Sequence, residues 1–167
     1  MERDWIDSTL DRWAALQPDL AADVYQVTGR ISRIAARLAQ RQEEVFGRHG
    51  LNRGDVGVLS ALRTSPTPKG LSPTQLMRGL MLSSAGITKR LDSLEQRGLL
   101  RRQPHPEDRR AVSVQITDAG RRLVTKAVTE NTRQEAGVLT GLTAKERRLL
   151  AELLRKVLGR IEPSTGG

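Results

Sequence analysis

A single short stretch departs from an otherwise uniform pattern. Along 167 residues the apolar positions recur every three or four residues, the spacing of one face of a helix. Val112-Ser-Val-Gln-Ile116 instead alternates strictly and places Val112, Val114 and Ile116 on one side of a strand. Leu99-Leu-Arg-Arg-Gln103 before it is short and extended. The two are joined by the charged loop Pro104–Ala111, which carries two prolines. Together they predict one β-hairpin with a basic tip in a chain that is otherwise mainly α.

The helices can be delimited by their end signals. Ser8–Gln17, with Leu10, Trp13 and Leu16 on its apolar side, is closed by Pro18, so residues 1–18 form a helical extension. A long helix follows, striped by Leu20, Val24, Val27, Ile31, Ile34, Leu38 and Val45 and ending near Gly47–Gly50, where glycine suits a left-handed C-cap. Its length of roughly 25 residues is about twice the mean for globular helices. That length suits packing against another subunit, and equally a long core helix of a monomer. A third helix spans Arg53–Thr64 with Val56, Leu59 and Leu62 inward. After the breaker-rich loop Ser65–Gly70, Ser72 caps a short helix, Pro73 takes its first position and Gln75 completes a capping box. Ser83 caps the next helix, which carries Ile87, Leu91 and Leu94 and stops at Gly98. Thr117 opens a helix to about Leu139. Thr143-Ala-Lys-Glu146 is a second capping box, and it opens a last helix with a wide stripe at Leu149, Leu150, Leu153, Leu154, Val157, Leu158 and Ile161. Residues 162–167 are expected to fray.

Composition narrows the chemistry. With no cysteine, disulfides, thiolate metal sites and cysteine nucleophiles are excluded. Two histidines, His49 and His105, leave little for a metal site or a catalytic base, and no cofactor is implied. No apolar run approaches a membrane span, and Met1–Asp11 is acidic and polar, unlike a signal peptide, so a soluble cytoplasmic protein is expected. The net charge is +9, and it is concentrated. Residues 1–62 hold 8 basic and 9 acidic side chains, residues 63–126 hold 13 and 5, and residues 127–167 hold 7 and 5. The central segment therefore carries +8. That is the footprint of a polyanion partner, since each Lys or Arg placed on a phosphate releases a counterion. The alternative is a basic protein whose charges are merely solvated. Trp5, Trp13, Tyr25 and Phe46 all lie outside this segment, which argues against a single-strand binder built on stacking platforms.

Within the basic segment a short helix, a turn and a second helix lead straight into the hairpin, the order of a winged helix-turn-helix. Opposite the apolar stripe of the second helix lie Ser84, Ala85, Thr88 and Lys89, small or hydrogen-bonding residues suited to a major groove. Ser72, Thr74, Ser83 and Arg90 complete the candidate DNA surface. Gly86 costs about 1 kcal/mol of helix propensity, which close approach to DNA or to the preceding helix would explain. Arg109 and Arg110 at the wing tip suit a narrow minor groove. Asp108 is placed to orient one of them, and Arg101 and Arg102 at the hairpin base are candidate phosphate contacts. A helix-turn-helix is sometimes only a packing unit; the basic wing and the localised charge favour double-stranded DNA as the partner.

These residues resemble the multiple-antibiotic-resistance regulator (MarR) family of winged-helix transcription factors. The resemblance is carried by Leu71-Ser-Pro-Thr-Gln-Leu76, Ser84-Ala-Gly-Ile-Thr-Lys-Arg-Leu-Asp-Ser-Leu-Glu95, Gly98-Leu-Leu-Arg-Arg102, Pro106-Glu-Asp-Arg-Arg110 and Ile116-Thr-Asp-Ala-Gly120, within a span of about Leu20 to Ile161. It implies a family-type domain over 19–161, with dimerisation helices at 19–47 and 117–161 and a DNA-binding lobe at about 53–116. It further implies a homodimer, here through Leu20, Val24, Val27, Ile31, Leu149, Leu153, Val157 and Ile161, that reads a pseudo-palindromic operator. Such proteins commonly repress a neighbouring gene and release DNA when a small phenolic or anionic effector binds between the lobes. The family wing usually begins with Asp before the proline, where this chain has His105. The extension with Trp13 is similar to a urate-sensing branch. That branch pairs such a Trp with an Arg of the recognition helix, matched by Arg90, and with an Asp on the helix before the helix-turn-helix, whose position Gly57 holds. Packing within the core or an interface is the other reading of Trp13.

Three other classes are open to test. An enzyme finds no support in Gly-x-Ser-x-Gly, P-loop, His-Glu-x-x-His or paired-carboxylate patterns. A non-specific architectural protein would coat DNA rather than protect one short two-fold site. A protein-interaction module keeping the winged helix as scaffold would not bind DNA of any sequence at physiological salt.

Overall fold

The computed structural model describes residues 3–19, 21–67, 69–80, 83–104 and 111–162. The chain divides into two compact units, Met1–Val128 and Thr129–Gly167. No helix among the described residues is long and apolar enough to cross a membrane.

The first unit begins with α1 (Trp5–Leu16) and α2 (Ala22–Gly47). Asp4 caps α1, accepting from the amides of Ile6 and Asp7, and the Asp7 carboxylate returns to the Asp4 amide. The helix therefore starts three residues earlier than its apolar spacing suggests, and its buried residues are Ile6 and Leu10. Trp13 and Leu16, expected on the same inward side, are exposed. Arg30 of α2 clamps α1, with Nε 2.9 Å from Asp4 and Nη2 2.7 Å from Asp7. The absence of a side chain at Gly29 admits Ile6: an added Cβ would lie 3.0 Å from its Cδ1.

Beyond α2 come α3 (Arg53–Thr64), α4 (Pro73–Gly79), α5 (Ser84–Gln96), the strands β1 (Leu100–Pro104) and β2 (Val112–Ile116), and α6 (Asp118–Val138). The predicted caps are in place. Ser72 Oγ accepts from the Gln75 amide at 3.1 Å and Ser83 Oγ from the Gly86 amide at 3.2 Å. Gly50 and Gly98 end α2 and α5 with φ of 66° and 67°, a region glycine enters without steric cost. Val45, Phe46, Val58, Leu59, Leu76, Leu91, Leu94, Leu100, Val114 and Val124 form the centre of one apolar core.

The hairpin is antiparallel, pairing Leu100 with Ile116, Arg102 with Val114 and Pro104 with Val112. Strict alternation fails at both Val112 and Ser113. Val112, at the open end of the ladder, is exposed, whereas Ser113 is fully buried. The Ser113 hydroxyl donates to the Lys69 carbonyl, which satisfies it there. A further strand-like pairing, absent from the sequence pattern, joins Leu71 to Val114 through reciprocal amide–carbonyl bonds of 3.0 and 2.9 Å. At the foot of the hairpin Thr117 Oγ1 donates to the Gly98 carbonyl at 2.7 Å and accepts from the Gly120 amide at 3.1 Å. A Cβ at Gly120 would overlap the Leu99 carbonyl, so the first turn of α6 packs directly on the link between α5 and β1.

The second unit holds the end of α6 and α7 (Ala144–Ile161). Thr143 and Glu146 form the expected capping box. The Thr143 hydroxyl and amide both donate to the Glu146 carboxylate and hold it below its ordinary pKa. The apolar stripe of α7 is exposed along its whole length, and the helix has no buried residue. Of the expected frayed tail, residues 163–167 lie outside the described residues.

Candidate nucleic-acid interface

Three elements build the candidate surface. Leu76 of α4 and Ile87, Leu91 and Leu94 of α5 are buried, which leaves the opposite side of α5 to solvent. Ser84, Ala85, Thr88 and Lys89 are all exposed there, as the helical spacing requires. The Thr88 hydroxyl donates to the Ser84 carbonyl at 3.0 Å, which fixes its rotamer while leaving its oxygen able to accept. Thr74 is exposed on α4, and Ser72 and Ser83 are held as N-caps at the starts of α4 and α5. The amide of Gly86 is bound by Ser83, and among the described residues an added Cβ there would meet only the Ser83 hydroxyl, at 3.0 Å. Of the two expected reasons for this glycine, packing on the described part of the preceding helix is not seen; the contact that a side chain would meet is the Ser83 cap.

Two arginines have partners that the sequence reading did not assign. Arg90 turns inward from α5. Its Nη1 lies 2.7 Å from Asp55 Oδ1 and 2.6 Å from Asn52 Oδ1, at the start of α3. Asp55 is buried, and its other oxygen lies 3.5 Å from Arg97, whose Nη2 donates to the Gly50 carbonyl at 2.7 Å. Two guanidiniums two turns apart on α5 thus straddle one carboxylate of α3. The fit requires Gly54, because a Cβ there would overlap the Arg90 guanidinium. Gly57, which carries no carboxylate, instead faces Leu80. The acid that engages Arg90 stands two residues earlier, at Asp55, and the partners of Arg90 come from α3 and its cap rather than from α1, where Trp13 stands. The sequence did contain a signal for this: Asn52 and Asp55 have capping-box spacing, and Gly54 between them is a poor helix former.

Arg102 is likewise engaged. It lies 2.6 Å from Asp92 and 2.8 Å from Glu95, both on α5, while its amide donates to Glu95 Oε1 at 2.7 Å. It fastens the hairpin to the recognition helix. Arg101, on the other side of β1, is exposed and donates to Gln115 Oε1 at 3.0 Å. The wing-tip residues His105, Asp108, Arg109 and Arg110 lie outside the described residues, as do Leu20 and the tip of the loop at Pro68.

This arrangement is that of a winged helix-turn-helix, with an exposed recognition helix braced on one side by α3 and on the other by the wing. The comparisons agree. Residues 49–111 match the model of the MarR family. The chain is 33% identical over 157 residues, 94% of its length and 92% of the relative's, to the HTH-type transcriptional regulator PecS of Dickeya dadantii. Its fold is similar to that of MepR of S. aureus in a DNA complex (TM-score 0.70, 18% identity, 80% of this chain and 97% of that one). It is equally similar to CouR of Rhodococcus jostii bound to p-coumaroyl-CoA (TM-score 0.70, 23% identity, 82% and 92%). The chain belongs to the MarR family of DNA-binding transcriptional regulators.

Proposed function

We propose that this regulator is a repressor that binds a pseudo-palindromic operator as a homodimer and leaves it when a small aromatic or anionic effector binds. The observation that carries the reading is the bare apolar face of α7. Leu149, Leu150, Leu153, Leu154, Val157, Leu158 and Ile161 are all exposed in the single chain, more contiguous apolar surface than a soluble monomer ordinarily leaves in water. Val24, Val27 and Ile34 form a second exposed stripe on α2, continuous with half-buried Ile31. A second copy of the chain is the partner that covers both. The helices at 19–47 and 117–161 then dimerise, and the lobe at about 53–116 meets DNA.

In that complex Ser84, Ala85, Thr88 and Lys89 face the major groove. Ser72, Thr74, Ser83 and Arg101 lie toward phosphates, and Arg109 or Arg110, oriented by Asp108, enters the minor groove. Arg90 and Arg102 act through position, holding α5 and the wing rather than touching bases. Support for an effector comes from CouR, whose structure holds p-coumaroyl-CoA. Trp13, without Arg90 beside it, acts in packing at the subunit interface.

A footprint on the DNA flanking the coding sequence tests the proposal. One short, two-fold symmetric protected site is expected. Continuous coating of the DNA would overturn it in favour of an architectural protein, and no binding to any sequence at physiological salt would favour an interaction module.

A further inference from the structure

The loop between α3 and α4 is fastened to the wing from outside. The Lys69 carbonyl accepts from the Ser113 hydroxyl and, at 3.2 Å, from Gln115 Nε2. Gly70 follows with φ of 85°, and a Cβ there would overlap the Val114 carbonyl. The Leu71–Val114 pairing completes the seam. Within the loop the Lys69 amide donates to Thr67 Oγ1 at 3.2 Å. The backbone of Lys69 is therefore held at both its amide and its carbonyl, while the residue is exposed. The other end of the Gln115 carboxamide accepts from Arg101 Nη2 at 3.0 Å. One glutamine thus ties Lys69 and Arg101 to the same side of the sheet.

That side is the outer face of the wing. Val114 and Ile116 are buried in the core, and Arg102 pairs with Asp92 and Glu95 of α5. Arg101 and Gln115 are partners in the ladder, one residue out of step with these, and so take the opposite face. The sequence has no acid between Asp55 and Asp92, and among the described residues Arg101 has Gln115 as its side-chain partner and no acid. The outer face is therefore cationic. With α5 in the major groove and the wing tip in the minor groove beside it, this face is turned away from the half-site, toward the DNA that flanks it.

We infer that Lys69 binds a backbone phosphate of the flanking duplex, next to the phosphate that Arg101 reaches, so that the regulator grips DNA beyond the bases it reads. The inference rests on the operator reading and extends it to a residue outside both the recognition helix and the hairpin. A Lys ammonium is a compact point charge that suits a phosphate and carries no base code. The held backbone at Lys69 reduces what must be ordered when the contact forms. A contact of this kind adds affinity and salt dependence without sequence preference.

Fluorescence anisotropy titrations of the full chain on two duplexes, over a range of salt, test the inference. The short duplex spans the base pairs whose substitution alters affinity; the long one adds about ten base pairs, one helical turn, on each side. Lys69→Gln should bind the long duplex about fivefold or more weakly than wild type at about 0.1 M salt, and the short duplex equally well. Its slope of log K against log salt should fall by about 1.8 on the long duplex, since a dimer loses two contacts at roughly 0.9 each, and stay unaltered on the short one. Lys69→Arg should keep wild-type values on both. An equal loss on the two duplexes would show a general effect of net charge and overturn the inference. So would an unaltered slope on the long duplex, or a changed base preference in Lys69→Gln. Failure of the operator reading is seen separately, as a wild-type footprint without a discrete two-fold site, and takes the flank contact with it; failure of the inference alone leaves that site intact.

Discussion

Asp55 is buried beneath the recognition helix and faces two guanidiniums, so its loss leaves Arg90 and Arg97 without their shared carboxylate. A double-mutant cycle of Asp55→Ala with Arg90→Ala, measured by urea unfolding, should give a coupling of about 1–2 kcal/mol. That lies below the roughly 3–5 kcal/mol lost on breaking a fully buried pair, because the Arg90 side chain keeps 23% of its surface exposed. Gly54→Ala should reproduce much of the effect while removing no charge, and should weaken operator binding with it. Unchanged operator affinity in both Asp55→Ala and Gly54→Ala would mean that the brace stabilises the fold without placing α5. Base recognition is a separate matter. Thr88→Ala or Lys89→Ala should each cost about 1–3 kcal/mol of operator affinity and relax preference at one base pair per half-site. Mobility-shift titration against single-base operator variants checks this, and wild-type preference in both would show a different register of the helix in the groove. The exposed residues of α5 were legible from helical spacing alone. The inward turn of Arg90 was not, because its acid lies 35 residues away in the chain and spacing is silent on contacts that distant.

Elements were legible where their ends carry side-chain chemistry. Ser72, Pro73 and Gln75 place the start of α4, and Thr143 with Glu146 that of α7, since each cap satisfies amides the helix cannot. The start of α1 was missed because its cap is a pair of acids, Asp4 and Asp7, in a stretch whose apolar spacing points to Leu10, Trp13 and Leu16. Ser113 was missed because alternation assigns faces but not hydrogen bonds across the sheet. The acids of α1 also carry a pH dependence. The Asp4 amide and then the Arg30 guanidinium bond to Asp7 and hold its carboxyl below the ordinary carboxylate range. A lowered folded-state pKa contributes stability above the unfolded value of about 3.9, and that contribution is lost as the pH falls through the folded value. Docking of α1 on α2 should therefore loosen below about pH 4, seen as a change in Trp5 emission in the Trp13→Phe background. Asp7→Asn should remove that acid transition. A transition unaltered by Asp7→Asn would place the titrating group elsewhere.

For the whole molecule, the quantity that decides the reading is the mass in solution. A wide apolar stripe in the sequence signals burial, and a second copy of the chain was expected to bury that of α7; in the single chain the stripe is exposed. Light scattering at micromolar concentration should give twice the chain mass of 18.5 kDa. Leu153→Asp with Val157→Asp should lower that to a single chain, since each carboxylate would enter the dimer interface unpaired at about 2 kcal/mol or more. A folded wild-type monomer of 18.5 kDa would refute the dimer.

The junction of Gly98, Leu99, Thr117 and Gly120 leaves no slack between α5, the hairpin and the first turn of α6. The recognition helix has no pivot of its own at that end, and at its other flank Asp55 holds it to α3. Any movement of the helix by itself would have to break one of these contacts. If the outward side chains at 84, 85, 88 and 89 read the operator as proposed, divergence toward a new operator is expected to proceed by exchanging them on a held helix. Tilting the helix would cost the contacts at both its flanks, so small steps in sequence should yield small, local changes in the bases preferred.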